Sequence, residues 1–129
     1  MPKILVVDDD RDATRAAEVI LKKGGFEVVI LNYPKDVFKV VKTEKPDLII
    51  SDIIMPRWDG YALCKEIKEL YRNKIPVILC TAKSYEQELI EKAHKEFGAD
   101  DFIFKPFKED VLVQKVEAVL EKQTENASD

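Results

Sequence analysis

No apolar stretch in the 129-residue sequence approaches the roughly 20 residues a membrane-spanning helix needs. The amino terminus enters an apolar strand pattern at once, without the basic-then-apolar order of a signal peptide, and a cytoplasmic location is expected. Neither sign of charge forms a long block: 21 Lys+Arg stand against 25 Asp+Glu, a net charge of -4. That balance argues against a nucleic-acid binder or a membrane-surface protein. Cysteine occurs twice and histidine once. Cys64 falls in a helical pattern and Cys80 in a strand pattern, with no Cys-x-x-Cys spacing and no histidine nearby, so a zinc site or redox pair is poorly supported. Both are expected as reduced, buried small hydrophobes, and His94 as a surface residue.

What is present fits one domain with a single core. Five short apolar runs punctuate the chain: Ile4 to Val7, Phe26 to Leu31, Leu48 to Ile50, Val77 to Cys80 and Phe102 to Phe104. They are continuously apolar instead of alternating, as strands buried on both faces of a parallel sheet are. A segment of helical periodicity follows each. Ala13, Ala17, Ile20 and Leu21 mark the first, which stops at Gly24-Gly25, and Val37, Val40 and Val41 mark the second, after Pro34. Leu63, Ile67 and Leu70 mark the third, Leu89, Ala93 and Phe97 the fourth before Gly98, and Leu112, Val116, Val119 and Leu120 the fifth. Right-handed crossovers then predict an α/β fold: a doubly wound five-stranded parallel sheet, order 2-1-3-4-5, with five helices on its two faces. The domain is expected over residues 1–122, with 123–129 as a polar, frayed C-terminal tail.

The switch point of such a sheet lies between the first and third strands, which end in Asp8-Asp9-Asp10 and Asp52. A Met55-Pro56 turn and Asp59-Gly60 follow Asp52, Thr81-Ala82-Lys83 closes the fourth strand, and Lys105-Pro106 closes the fifth. At least three carboxylates at one sheet edge call for a cation, and an oxygen donor set suits Mg2+ better than zinc or copper. With metal bound, one carboxylate can attack phosphorus while the metal, Thr81 and Lys105 neutralise charge on the phosphoryl oxygens. Asp10 reads as the cap of the first helix. Asp12 and Asp59 read as acids favoured near a helix start, Asp100-Asp101 as a solvated turn, and Trp58 as packing over its loop.

These elements, in this order on five strand-helix units, make the chain resemble the receiver domain of two-component response regulators over about residues 3 to 122. The resemblance implies a flavodoxin-like fold in which Asp52 is phosphorylated by a histidine kinase or phosphotransfer protein. It implies Mg2+, with Mn2+ as a substitute, bound by Asp9, Asp52 and the backbone carbonyl of Ile54, and by Asp8 through a water. Lys105 would bridge to the phosphoryl group, Thr81 would hydrogen-bond it, Ala82 would keep the approach open, and the Lys105-Pro106 bond would be cis. Phe102 matches an aromatic switch position but lacks the tyrosine hydroxyl often found there. The switching surface would comprise the fourth helix, fifth strand and fifth helix, where a downstream protein or, on phosphorylation, a second copy would dock. Ile54 and Lys83 would flank the hydrolytic water, and since Ile54 cannot orient it, slow autodephosphorylation is expected.

Other classes fit fewer of these residues. A small haloacid-dehalogenase-like phosphatase would use Asp8 as nucleophile and Asp10 as acid/base, but leaves Met55-Pro56 unexplained. A pseudo-receiver that binds partners without phosphorylation would not need the full residue set. A flavodoxin would offer a flavin phosphate glycines and hydroxyls after the first strand, where three aspartates would repel it. Simple helix capping and ion pairing would crowd like charges for no structural gain.

Overall fold

The continuous apolar runs become the strands of one parallel sheet in a computed structural model that describes residues 1–55, 58–82 and 98–127. The strands are β1 (Lys3–Val7), β2 (Glu27–Leu31), β3 (Leu48–Asp52), β4 (Val77–Ala82) and β5 (Asp101–Lys105). Their order is β2-β1-β3-β4-β5, the arrangement that right-handed crossovers require. Four α-helices lie among the described residues: α1 (Arg11–Lys23), α2 (Val37–Glu44) after a 3-10 turn at Pro34–Asp36, α3 (Gly60–Leu70) and α4 (Glu109–Ala127). The expected helix carrying Leu89, Ala93, His94 and Phe97 lies outside the described residues, as does Lys83. No helix among the described residues is long and apolar enough to cross a membrane.

Alternate residues of each central strand serve two cores. Ile4, Val6, Ile50 and Ile78 pack with Ala17 and Leu21 of α1 and with Leu112 and Val116 of α4. Leu5, Ile49, Val77 and Leu79 pack on the other face with Val37 and Val41 of α2 and with Leu63 and Ile67 of α3. Each fully buried Leu or Ile contributes about 1.5–3 kcal/mol, so both faces of β1, β3 and β4 must be apolar. That is why these runs show no alternation.

Several local expectations change. Leu70 is 59% exposed, whereas Lys68, on the same helix, is buried. Its ammonium meets Asp100 Oδ2, which also accepts from the Val77 N–H at 2.8 Å, so Asp100 pins α3 to the start of β4 and is no solvated turn. Asp101 opens β5 and accepts from Lys115 at 3.1 Å. The last helix continues through Ala127, into the segment expected to fray, and Gln123 Nε2 donates to the Asn73 and Lys74 carbonyls at 3.0 Å. A two-stranded antiparallel ribbon, Ile54–Met55 against Trp58–Asp59, stands between β3 and α3.

Candidate functional site

Ladder register brings the acids together. Val7 pairs with Ser51, so Asp8, one residue on, stands level with Asp52, and Asp52 pairs with Cys80. Asp8 Oδ1 accepts from the Asp10 N–H at 3.0 Å, turning the chain out of β1. Asp10 Oδ1 in turn accepts from the Asp12 and Ala13 N–H groups at 3.0 and 3.3 Å and caps α1, as its position led us to expect. Asn32, after β2, donates to the Asp8 carbonyl at 2.8 Å and to Thr14 Oγ1 at 3.1 Å. The acidic turn is thereby fixed from both sides.

Asp52 is held as firmly. Its Oδ1 accepts from the Ile53 N–H at 2.9 Å, and the same N–H donates to the Cys80 carbonyl at 3.0 Å. Gly60 N–H donates to the Ile53 carbonyl at 2.7 Å, and a Cβ at Gly60 would overlap the Asp52 carbonyl oxygen and lie 2.7 Å from Ile53 Cα. Glycine is what lets α3 start against the acid-bearing strand end. Asp59 caps that helix by accepting from the Tyr61 N–H at 2.8 Å.

Lys105 reaches both carboxylates from the end of β5: its Nζ lies 2.5 Å from Asp8 Oδ2 and 3.2 Å from Asp52 Oδ2. One ammonium faces two acids. Asp8 is 1% exposed, and its Oδ2 is paired with the Lys105 ammonium. Burial pushes the Asp8 carboxyl up to about 6, the Asp52 charge adds to the rise, and the Lys105 contact and the Asp10 N–H only partly offset it. Burial works against the Lys105 ammonium, but the contact with Asp8 and the neighbouring Cys80 and Asp52 outweigh it and hold its pKa above that of an ordinary lysine. Two neighbouring carboxylates at one sheet edge, facing a single ammonium, are the oxygen donors a divalent cation takes.

The structure thus gathers Asp8, Asp52 and Lys105 at the carboxyl edge of the sheet. Thr81 is buried on β4 next to Cys80 and pairs with Phe104. The Lys105-Pro106 bond is cis. Asp9 is exposed and is not part of the close group, and the Ile54 side chain is 55% exposed on the ribbon. Phe102 is half-buried, edge-on to Phe104 with centroids 5.8 Å apart, and the Lys115 ammonium sits 5.3 Å from its ring centroid. Two participants escaped the sequence reading. Asn32 holds the acidic turn through contacts far apart in sequence. Cys80 shares a cluster with Asp8 and Asp52 whose donor atoms all lie within 4.8 Å of one another.

The family model described as response regulator receiver domain matches residues 4–117. The alkaline phosphatase synthesis transcriptional regulatory protein PhoP of Bacillus subtilis (strain 168) is 33% identical over 93% of the chain. The chain spans about half (49%) of that relative's length. Among solved structures, NtrX from Brucella abortus is similar with a TM-score of 0.90 and 32% identity, covering 98% of this chain and 29% of NtrX. The signal receiver domain of a signal transduction histidine kinase from Syntrophus aciditrophicus gives a TM-score of 0.81 and 35% identity, covering 95% of this chain and 92% of that one. A fold and a sequence match of this extent place the chain in the response regulator receiver domain family of two-component systems.

Proposed function

We propose that Asp52 accepts a phosphoryl group from a histidine kinase or phosphotransfer protein and that the resulting acyl phosphate switches a docking surface. The observation that carries this reading is the Lys105 ammonium between the Asp8 and Asp52 carboxylates. An Asp52 oxygen forms the new bond to phosphorus as the phosphorus–nitrogen bond of a phosphohistidine breaks, the imidazole nitrogen taking the electron pair. Lys105 and the Thr81 hydroxyl offset charge on the phosphoryl oxygens. Asp9, Asp52 and the Ile54 carbonyl would hold Mg2+ or Mn2+, and Asp8 would act through a water. A bound Mg2+ supplies the positive charge that two carboxylates and an incoming phosphoryl group otherwise lack.

The output surface includes β5 and α4, and the expected helix assigned to it with them lies outside the described residues. Its described part includes a hollow of about 330 Å3 lined by Phe102, Phe104, Pro106, Phe107 and Val111, where a downstream protein or a second copy docks. The chain acts as a signalling module that catalyses only its own phosphorylation and dephosphorylation. The phosphatase alternative loses support because the Asp10 carboxylate is committed to capping α1. Intact-mass analysis after incubation with acetyl phosphate, with and without Mg2+, tests the reading. One Mg2+-dependent adduct is expected, absent in Asp52→Asn. An adduct that persists in that variant overturns it.

A further inference from the structure

We propose that Asn32 is a positioning residue for the metal: its amide sets the backbone angles from which Asp9 presents its carboxylate to the cation. The inference rests on the assignment of Asp9 to Mg2+ or Mn2+ made above, and it adds a residue that touches neither the metal nor the phosphoryl group. Asp9 is exposed, so the backbone beneath it does more than packing to aim its side chain. Two peptide planes bracket its Cα, and each is tied. The Asp8–Asp9 plane carries the Asp8 carbonyl, which accepts from Asn32 Nδ2 at 2.8 Å. The Asp9–Asp10 plane carries the Asp10 N–H, which donates to Asp8 Oδ1 at 3.0 Å. Peptide units are rigid, so holding the plane on either side holds the two soft dihedrals of Asp9. The second tie is internal to the acidic turn. The first reaches it from the end of β2, where the Leu31 carbonyl also accepts from the Asp8 N–H at 3.1 Å.

The chemistry at position 32 calls for a primary amide. Its two N–H groups serve two acceptors, the Asp8 carbonyl and Thr14 Oγ1 at 3.1 Å. Thr14 is buried and spends its own O–H on the Arg11 carbonyl at 3.1 Å, which leaves it only lone pairs to offer Asn32. The amide is therefore oriented with its NH2 group inward. A carboxylate at 32 would turn an oxygen towards both acceptors, and a methyl would leave the Asp8 carbonyl without this donor and its plane free to rotate. Arg11 Nη2 donates to Tyr33 Oη at 3.1 Å, a separate tie between α1 and the exit of β2 that survives loss of the amide. Substitution at 32 is thus expected to loosen the Asp8–Asp9 plane without unfolding the chain.

The test titrates the full, metal-free chain with Mn2+ and counts free ion by the amplitude of its electron paramagnetic resonance spectrum, with Mg2+ competition to identify the site and urea unfolding to confirm that each variant is folded. Mn2+ affinity should fall about 10- to 100-fold in Asn32→Ala, the range for residues that orient a metal ligand. Thr14→Val, which keeps Asn32 and removes the acceptor that steers it, should give a smaller fall and serves if Asn32→Ala does not fold. Asn32→Asp adds a negative charge that by itself would tighten a cation, whereas loss of positioning predicts weaker binding. Asp9→Asn should weaken binding at least as much as Asn32→Ala, and adding Asn32→Ala to it should cost little more, since no carboxylate remains at position 9 to aim. Unchanged affinity in the Asn32→Ala and Thr14→Val variants, tighter binding in Asn32→Asp, or the full Asn32→Ala loss repeated on the Asp9→Asn background overturns the role of Asn32. Unchanged affinity in Asp9→Asn instead overturns the assignment of Asp9 to the metal, and the proposal with it.

Discussion

Asp8→Asn should stabilise the metal-free protein at neutral pH, although it removes an ion-pair partner. Asp8 and Asp52 share the single Lys105 ammonium, and burial has pushed the Asp8 carboxyl from 3.8 to about 6. A shift of that size corresponds to a ceiling of about 3 kcal/mol. That shift is already net of the attraction to Lys105, and burying the polar amide returns part of it, leaving an expected gain of about 1–2 kcal/mol and a Tm rise of roughly 3–8 °C. Between these two pKa values the folded wild type holds a proton that the unfolded chain has released. Folding therefore takes up a proton, and wild-type stability falls as pH rises from about 4 to about 6. Urea unfolding in a chelator measures the difference. The variant should lead above about pH 7 and lose its lead near pH 4, where the wild-type acid is protonated in both states. Mg2+ should then raise the wild type's stability, and the variant's by less, since only the contact through water is changed. A variant less stable than wild type at neutral pH, or a gain of equal size at both pH values, refutes the reasoning.

Gly60→Ala places a methyl against the Asp52 carbonyl and Ile53 Cα, and should cost about 1–3 kcal/mol in urea unfolding and slow adduct formation. Full stability would show that α3 can shift freely. Asp100→Ala removes the partner of the Lys68 ammonium and of the Val77 N–H, an expected loss of about 1–3 kcal/mol, and a change below about 0.5 kcal/mol would show the contact to be idle. Ile54→Asn introduces a polar group two residues after the proposed acceptor and should quicken decay of the phosphorylated protein, followed by mass against time. An unchanged decay rate would remove Ile54 from the water's path.

Much of the fold was legible because its signals are local. Strands buried on both faces read as continuous apolar runs, and Asp10, Asp59 and Gly25 mark helix ends where capping needs them, Gly25 with φ 92°. The ribbon at Ile54–Met55 and Trp58–Asp59 was not legible, since two-residue strands carry no periodicity. Leu70, expected on the apolar face, is exposed and Lys68 is buried, because Asp100, 32 residues beyond Lys68, compensates the buried ammonium, and periodicity does not record such a partner. The same applies at the site. Asp8, Asp52 and Lys105 are visible as strand-end residues, whereas Asn32 and Cys80 join only through tertiary contacts and ladder register.

The most direct test locates the phosphoryl group. After incubation with acetyl phosphate and Mg2+, borohydride reduction converts an aspartyl phosphate to homoserine, which peptide mapping places in the chain. Homoserine at position 52 and nowhere else is the expected result. Homoserine at position 8, or none anywhere with Mg2+ shown to be bound, would contradict Asp52 as the acceptor.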